Sequence, residues 1–147
     1  MAQNKLKLGR SIVALLGVLA CTGCASLGLG GGPKQVMNVD PSVPAAHGEV
    51  QAKEGDNGNT EVRLKVEHLA RPESLGTEAK TYVVWVQDSA TGEHVQNLGA
   101  LKVNDGLKGS IRALTPLKRF DIFITPEPLA TAESPSGERV LWSTVSL

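Results

Sequence analysis

Apolar and polar residues alternate along short segments after residue 48, and the alternation predicts β-strands. Residues 60–69 place Val, Leu and Val on one face and charged side chains on the other, which is the period of a half-buried strand. Residues 81–87 and 120–125 are apolar on both faces, as is typical of central strands. Further runs that predict strands lie at residues 49–53, 94–98, 107–114 and 139–147.

Turn-forming residues separate these runs and set the fold class. Residues 56–59 (Asp-Asn-Gly-Asn) and 104–106 (Asn-Asp-Gly) predict tight turns, the second being the strongest hairpin signal in the chain. Short strands at this spacing, with no helical period of useful length, predict an all-β fold. We expect an antiparallel, immunoglobulin-like β-sandwich of about seven strands over residues 48–147, with an open barrel as the alternative.

The first residues follow a different pattern, that of an exported protein. Lys5, Lys7 and Arg10 precede an apolar run at residues 12–20, which small residues follow. This is the three-part layout of a secretory signal peptide. A membrane-spanning helix is the alternative, but it needs about 20 apolar residues, roughly twice the length of this run. We therefore predict a signal peptide over residues 1–23.

Two cysteines end this segment and suggest a lipid anchor. Cys21-Thr22-Gly23-Cys24 resembles the lipobox of bacterial lipoproteins, in which small residues precede a cysteine that is lipidated and becomes the new N-terminus. The sequence departs from that pattern in having Cys21 where the family usually has Leu. Lipidation at Cys21 instead would put bulky Leu19 in a small-residue position and leave an unpaired thiol in an oxidising compartment. We favour Cys24 as the lipidated residue, with Cys21 as the alternative.

A redox or zinc site is the other interpretation of this Cys-x-x-Cys spacing. No second pair of Cys or His accompanies it, and it follows an apolar signal rather than lying in a folded unit. We therefore predict no metal and no cofactor at these cysteines.

Removal of the signal peptide changes the charge of the chain. Three of the fifteen basic residues are lost and all fifteen acidic ones stay, so the mature net charge is near minus three. Nucleic-acid binding needs a basic surface, so that class of function is excluded. Membrane contact is expected through the lipid alone. Because Ala25 is not the Asp that commonly retains lipoproteins in the inner membrane, we expect the outer membrane, facing the periplasm.

The segment that follows the anchor is rich in glycine and then in proline. Residues 24–47, which include the lipidated Cys24, carry no periodic apolar pattern and predict a tether that spans roughly 25 Å. A packed strand at residues 35–39 is the alternative.

Several short motifs in the C-terminal half resemble the extracytoplasmic domain of anti-sigma-K-type factors. They are Tyr82-Val-Val-Trp85, Asn97-Leu-Gly99, Gly109, Phe120-Asp-Ile-Phe-Ile-Thr125, Glu127-Pro128 and Pro135-Ser-Gly137. The resemblance covers residues 81–147, and residues 129–134 stand where the family usually has a Gly-Gly-Ser run. It implies a β-sandwich outside the cytoplasm. It does not imply anti-sigma activity, because the sequence matches neither the family's sigma-binding region nor its spanning helix.

Candidate metal ligands are few and dispersed. Copper or zinc would need at least two of His47, His68 and His94 to converge with a further ligand, and we expect surface histidines instead. Residues 56–61 offer four side chains with calcium-binding oxygens, but their spacing is not that of a calcium loop, so a plain turn is predicted.

The long loop at residues 125–137 is the best candidate for binding, because long loops on rigid β scaffolds often carry function. Stiffening of a crossover by its prolines is the alternative. Its candidate residues are Glu127, Pro128, Glu133, Pro135 and Gly137. An acid/base pair of Glu127 with Glu133 is conceivable. No serine lies in a Gly-x-Ser-x-Gly turn, so we predict a non-enzymatic protein.

Three functions follow from these features. The first is a lipid-anchored envelope protein with a structural role or one in binding another envelope protein. The second is a periplasmic module that binds a metal or another ligand. The third, an anti-sigma-like regulatory role, would need a separate membrane partner.

Overall fold

A computed structural model describes residues 31–147, which form nine β-strands in two antiparallel sheets. The strands are β1 (Lys34–Val36), β2 (Asn38–Val39), β3 (His47–Glu54), β4 (Thr60–Glu67), β5 (Thr81–Asp88), β6 (Gln96–Leu101), β7 (Gly109–Thr115), β8 (Arg119–Glu127) and β9 (Leu141–Ser146). One sheet has the order β1-β3-β4-β7 and the other β2-β9-β8-β5-β6. The predicted antiparallel β-sandwich is confirmed.

The chain crosses between the two sheets after a hairpin. β3 and β4 pair with each other in the four-stranded sheet before the chain crosses to β5. In immunoglobulin domains strands A and B likewise share one sheet, and strand C lies in the other. The short helical element between β4 and β5 is a single 3₁₀ turn, Pro72–Ser74.

The core lies between the sheets and is made by the alternating residues of the sequence. On β4 the inward side chains of Val62, Leu64 and Val66 are buried while their neighbours stay partly or fully exposed. On the opposite sheet Tyr82 and Ile122 face them and are fully buried. Burial of each such side chain stabilises the fold by about 1.5 to 3 kcal/mol. The alternation at residues 60–67 therefore predicts this half of the core directly.

The N-terminal segment is part of the sandwich, so the predicted tether is wrong for residues 34–47. β1 pairs with β3 in one sheet, and β2 pairs with β9 in the other. Between them Met37 is 3% exposed, and its N–H donates to the carbonyl of Gly48 at 2.9 Å. Val43 and Ala46 are also buried. The alternative of a packed strand at residues 35–39 is correct, and the sandwich begins at residue 34 rather than 48.

The physical reason for this error is that edge strands are held by their backbone. The side chains of β1 are all exposed, so they carry no apolar periodicity that a sequence could reveal. The signal peptide, both cysteines and residues 24–30 of the predicted tether lie outside the described residues.

The Asn-Asp-Gly turn at residues 104–106 forms, but it does not make a hairpin within one sheet. β6 pairs with β5 and β7 pairs with β4, so this turn joins the two sheets. The N–H of Leu107 donates to the carbonyl of Asn104 at 2.9 Å, and Leu107 adopts a φ of 57°, in the left-handed region. The Asn-Asp-Gly sequence therefore predicts the chain reversal correctly. Which strands pair on either side of it depends on the packing of the whole sandwich.

The strand directions give the sandwich two different ends. At the base, where the described chain begins and ends, the connections are short; they are residues 55–59, 89–95 and 116–118. At the top the connections are residues 40–46, 68–80, 102–108 and 128–140. The two longest connections of the described chain, residues 68–80 and 128–140, therefore lie together at the end opposite the chain start.

The first prediction concerns the N-terminal strand. Met37→Ala should lower the free energy of unfolding by about 2 to 4 kcal/mol, because it leaves a cavity at the point where the strand changes sheets. Urea unfolding of the full chain followed by tryptophan fluorescence measures this. Val36→Ala, at a side chain that is 60% exposed, is the matched control and should change stability by less than about 0.5 kcal/mol. Equal, small effects of both changes would contradict the packed strand.

Candidate functional site at the top of the sandwich

Residues 128–140, here called the strap, cover the outer face of the five-stranded sheet. Beneath the strap Val83, Trp85 and Phe123 form a second buried apolar cluster, against which Ala132 and Trp142 pack. This cluster explains why β5 is apolar on both faces. One face meets the opposite sheet, and the strap shields the other from water.

A buried carboxylate fixes the strap to the sheet. Glu127, at the end of β8, is fully buried, and its Oε1 accepts the N–H groups of Ser136 at 2.8 Å and Gly137 at 3.1 Å. The hydroxyls of Thr125 and Ser136 also donate to it, each at 2.5 Å. Four donors thus take the place of water around the charge.

Hydrogen bonds rather than an ion pair surround this carboxylate within residues 31–147. Glu127 takes part in none of the ion pairs formed within residues 31–147. Burial by itself raises the pKa of Glu127, but the hydrogen bonds from the Ser136 and Thr125 hydroxyls and from the Gly137 and Ser136 N–H groups outweigh it and hold the pKa below its usual range. The side chain is therefore charged at neutral pH and acts as a clamp on the strap.

Further contacts hold the strap and the cluster beneath it. Trp85 Nε1–H donates to the Thr125 hydroxyl at 2.8 Å, which links the outer apolar cluster to Glu127. The Asn97 amide donates to the carbonyls of Ala130 and Ala132 at 3.0 and 2.8 Å. The guanidinium of Arg139 lies over the Phe123 ring, 3.9 Å from its centre. The strap is therefore held in its middle by Asn97 and near its end by Glu127 and the Phe123 ring.

The predicted binding residues of this loop separate into two groups. Glu127 and Gly137 hold the structure: a Cβ at Gly137 would lie 2.2 Å from the carbonyl oxygen of Pro126, so only glycine fits. Pro128 and Glu133 are exposed, and Pro135 is half-buried. The structure does not pair Glu127 with Glu133 as acid and base, because strap donors occupy both Glu127 oxygens and Glu133 is not among its partners.

A groove of about 420 Å³ opens at the top, between the strap and the connection that precedes β5. Its apolar lining includes Leu75, Ala79, Pro126, Pro128 and Val140. Sequence reasoning missed this groove, because its walls come from segments about fifty residues apart in the chain. The only sequence signal was that residues 70–78 and 125–137 are both long loops.

The histidines do not converge on a metal site. His47 begins β3 and His68 follows β4 at the top, whereas His94 lies in the connection before β6 at the base. His47 Nε2 is 3.7 Å from Glu49 Oε1. Within residues 31–147, no group of three His, Cys, Asp or Glu side chains could hold a metal ion.

The remaining candidate residues have structural positions. Residues 55–59 form the turn between β3 and β4, in which Asn59 N–H donates to Asn57 Oδ1 at 3.2 Å. Glu61 lies on β4, and its Oε1 accepts from Arg63 Nε at 2.7 Å. Ser110 lies on β7, and the Ser136 hydroxyl donates to Glu127.

Comparisons with known proteins add no relative: no protein-family model and no curated protein matches the chain. The resemblances to lipoprotein signals and to anti-sigma-K-type factors stay predictions. In the part of the chain that the structure describes, no helix is long and apolar enough to cross a membrane.

The second prediction concerns the clamp. Glu127→Gln should lower the free energy of unfolding by about 2 kcal/mol, because the new amide group is a donor that faces donors of the strap. Hydrogen exchange should show lost amide protection at residues 128–138 while the amides of β4 keep theirs. Glu133→Gln, an equal change at an exposed residue of the same strap, should leave both measurements unchanged. Unaltered amide protection at residues 128–138 in Glu127→Gln would contradict the role of Glu127 as a clamp.

The pH dependence of stability distinguishes the contribution of the Glu127 charge from that of the side-chain shape. Because folding lowers its pKa, the stabilisation is present above the unfolded pKa of about 4.3 and is lost as the pH falls through the lower folded value. The difference in unfolding free energy between the native chain and Glu127→Gln should therefore shrink below about pH 4.3. A difference that stays constant with pH would contradict a role for the charge.

Proposed function

We propose that this chain is a lipid-anchored, non-enzymatic protein of the bacterial outer membrane that faces the periplasm and binds another envelope protein through the top of its sandwich. The observation that carries the proposal is the meeting of the two longest connections at the end opposite the chain start, where they enclose a groove of about 420 Å³. Binding loops on β scaffolds commonly cluster at one end in this way.

The position of the chain start supports this orientation relative to the membrane. Ten residue steps separate Cys24 from Lys34, the first residue of β1, and a fully extended chain covers at most about 3.3 to 3.6 Å per residue. The base therefore stays within about 35 Å of the lipid. The eight residues of β3 add about 26 Å between base and top. A chain anchored at Cys24 would present its top to the periplasm.

The rigidity of the strap supports binding rather than catalysis. Loops that are ordered before they bind lose less entropy on association, and the strap is ordered by Glu127, Asn97 and Arg139. The four donors to Glu127 come from β8 and the strap, so hydrogen bonds within the protein occupy its carboxylate. Next to the groove, Leu129 exposes 65% of its surface and offers an apolar contact.

The third prediction tests the anchor. Cys24→Ala should abolish incorporation of labelled palmitate and release the protein from the membrane, because no lipidated cysteine then forms. Cys21→Ala should keep both the label and the location. In membrane fractionation of the native chain, the labelled protein should sediment with outer membranes. Persistent labelling of Cys24→Ala would move the anchor to Cys21, and sedimentation with inner membranes would contradict the location.

The fourth prediction tests binding in intact cells. A photo-crosslinking amino acid in place of Leu129 should yield a discrete species of higher mass, because the strap lies at the proposed interface. The same amino acid in place of Leu114 on β7, a side chain that is 50% exposed on the four-stranded sheet, is the matched control and should yield none. Equal products from both positions, or none from either, would count against the top as a binding surface.

A further inference from the structure

A second groove adjoins the groove at the top, beside the edge of the five-stranded sheet. The second one has a volume of about 460 Å³ and is lined by Asp40, Gly137, Glu138, Arg139 and Trp142. Gly137 and Glu138 also line the first groove, so the two grooves are neighbours. The two grooves, which lie between the connection before β5 and Trp142, are together called the channel here.

The charges along this channel are mostly negative. Glu78, Glu138 and Asp40 belong to its lining, and none of them takes part in an ion pair among the described residues. Hydrogen bonds from Ser42 lower the pKa of Asp40, so it is charged at neutral pH. The lining contains one cation, Arg139.

Arg139 does not neutralise these carboxylates by direct pairing. Its guanidinium lies over the Phe123 ring, and its Nη2 donates to Gln87 Oε1 at 3.3 Å. These contacts hold it against the sheet as part of the strap. The channel therefore has three carboxylates that no cation of the described chain approaches within ion-pair distance.

The outer face of the four-stranded sheet has charges of a different kind. Its carboxylates are paired with cations that lie on the same sheet or directly next to it. The pairs are Lys34 with Glu49 at 3.2 Å, Arg63 with Glu61 at 2.7 Å, Arg112 with Glu61 at 3.4 Å and Lys108 with Glu67 at 3.1 Å. The paired carboxylates of that face contrast with the three carboxylates of the channel, which take part in none of the ion pairs within residues 31–147.

The most buried residues that line the channel are apolar. Leu75 is half-buried, and Ala79 and Val140 are buried. The indole of Trp142 is half-buried at the other end and offers a ring face on which a cation can bind. A ligand that matches both features carries positive charges beside small apolar groups. A bare metal ion matches neither, since the described carboxylates form no metal-binding group.

We propose that this channel binds an extended segment of the partner protein in which Lys or Arg side chains alternate with small apolar ones. The proposal rests on the proposed function and names the chemistry of the partner. The apolar side chains would cover Leu75, Ala79 and Val140, while the cations would reach the carboxylates at the rim. Alternation matters because successive side chains of an extended peptide point to opposite sides.

The test uses the full-length protein in a non-ionic detergent and two fluorescein-labelled peptides. One peptide alternates lysine with valine, and the other alternates glutamate with valine. Fluorescence anisotropy should show saturable binding of the lysine peptide that weakens as salt is added, and no binding of the glutamate peptide. Equal binding of both peptides would overturn the proposal.

A pair of charge-matched double variants locates the binding. Glu78→Gln with Glu138→Gln removes two exposed carboxylates of the channel and should weaken lysine-peptide binding about tenfold at low salt. Asp56→Asn with Glu93→Gln removes the same charge from exposed sites at the base, outside the channel, and should weaken it less than about twofold. Equal weakening by both would indicate only long-range attraction to an acidic protein and would overturn the assignment to the channel.

The same set of measurements separates this inference from the function on which it rests. A discrete crosslink from Leu129 together with failure of the lysine peptide would overturn the cationic segment alone, and the protein-binding function would stand. Failure of the crosslink and of the peptide together would overturn both.

Discussion

The buried carboxylate of Glu127 is the interaction on which the upper half of this structure depends. Moving a lone carboxylate out of water costs several kcal/mol, even after the protein relaxes around it, so a stable fold must surround it with donors. Here two hydroxyls and two backbone N–H groups do so, and three of these four donors belong to residues 136 and 137 of the strap. The strap must therefore return to β8 in the conformation that places these donors on Glu127. That conformation also covers the outer apolar cluster and forms one wall of the groove.

The N-terminal strand has the same importance for the edges of the sandwich. Exposed edge strands present unpaired backbone groups that promote aggregation. By pairing first with β3 and then with β9, one short segment covers an edge of each sheet. The change of sheet at buried Met37 also fixes where the chain enters the sandwich. The register of β1 on β3 places the start of the described chain at the end with the short turns.

These two features show what the sequence could and could not predict. The alternation in β4 and the apolar faces of β5 and β8 identify core strands, because the apolar side chains themselves indicate which positions are buried. The sequence of β1 shows no such pattern, because backbone hydrogen bonds hold this strand and its side chains are exposed. In the sequence, Glu127 is likewise indistinguishable from other acidic residues of predicted loops. Its role depends on donors nine and ten positions away, which only the folded strap brings to it. The groove depends on the meeting of two loops from different parts of the chain.

The distribution of exposed apolar side chains bears on the kind of interface that the top can form. The large ones among the described residues, Val36, Val95, Leu114, Leu129 and Leu147, come from β1, a base turn, β7, the strap and the chain end. Permanent interfaces bury contiguous apolar surface, and these scattered residues do not provide it. A partner at the top would instead meet one exposed leucine, a narrow apolar channel and uncompensated carboxylates. Charge complementarity of this kind mainly raises the association rate and the specificity. We therefore expect the proposed partner to bind reversibly and to be steered by charge.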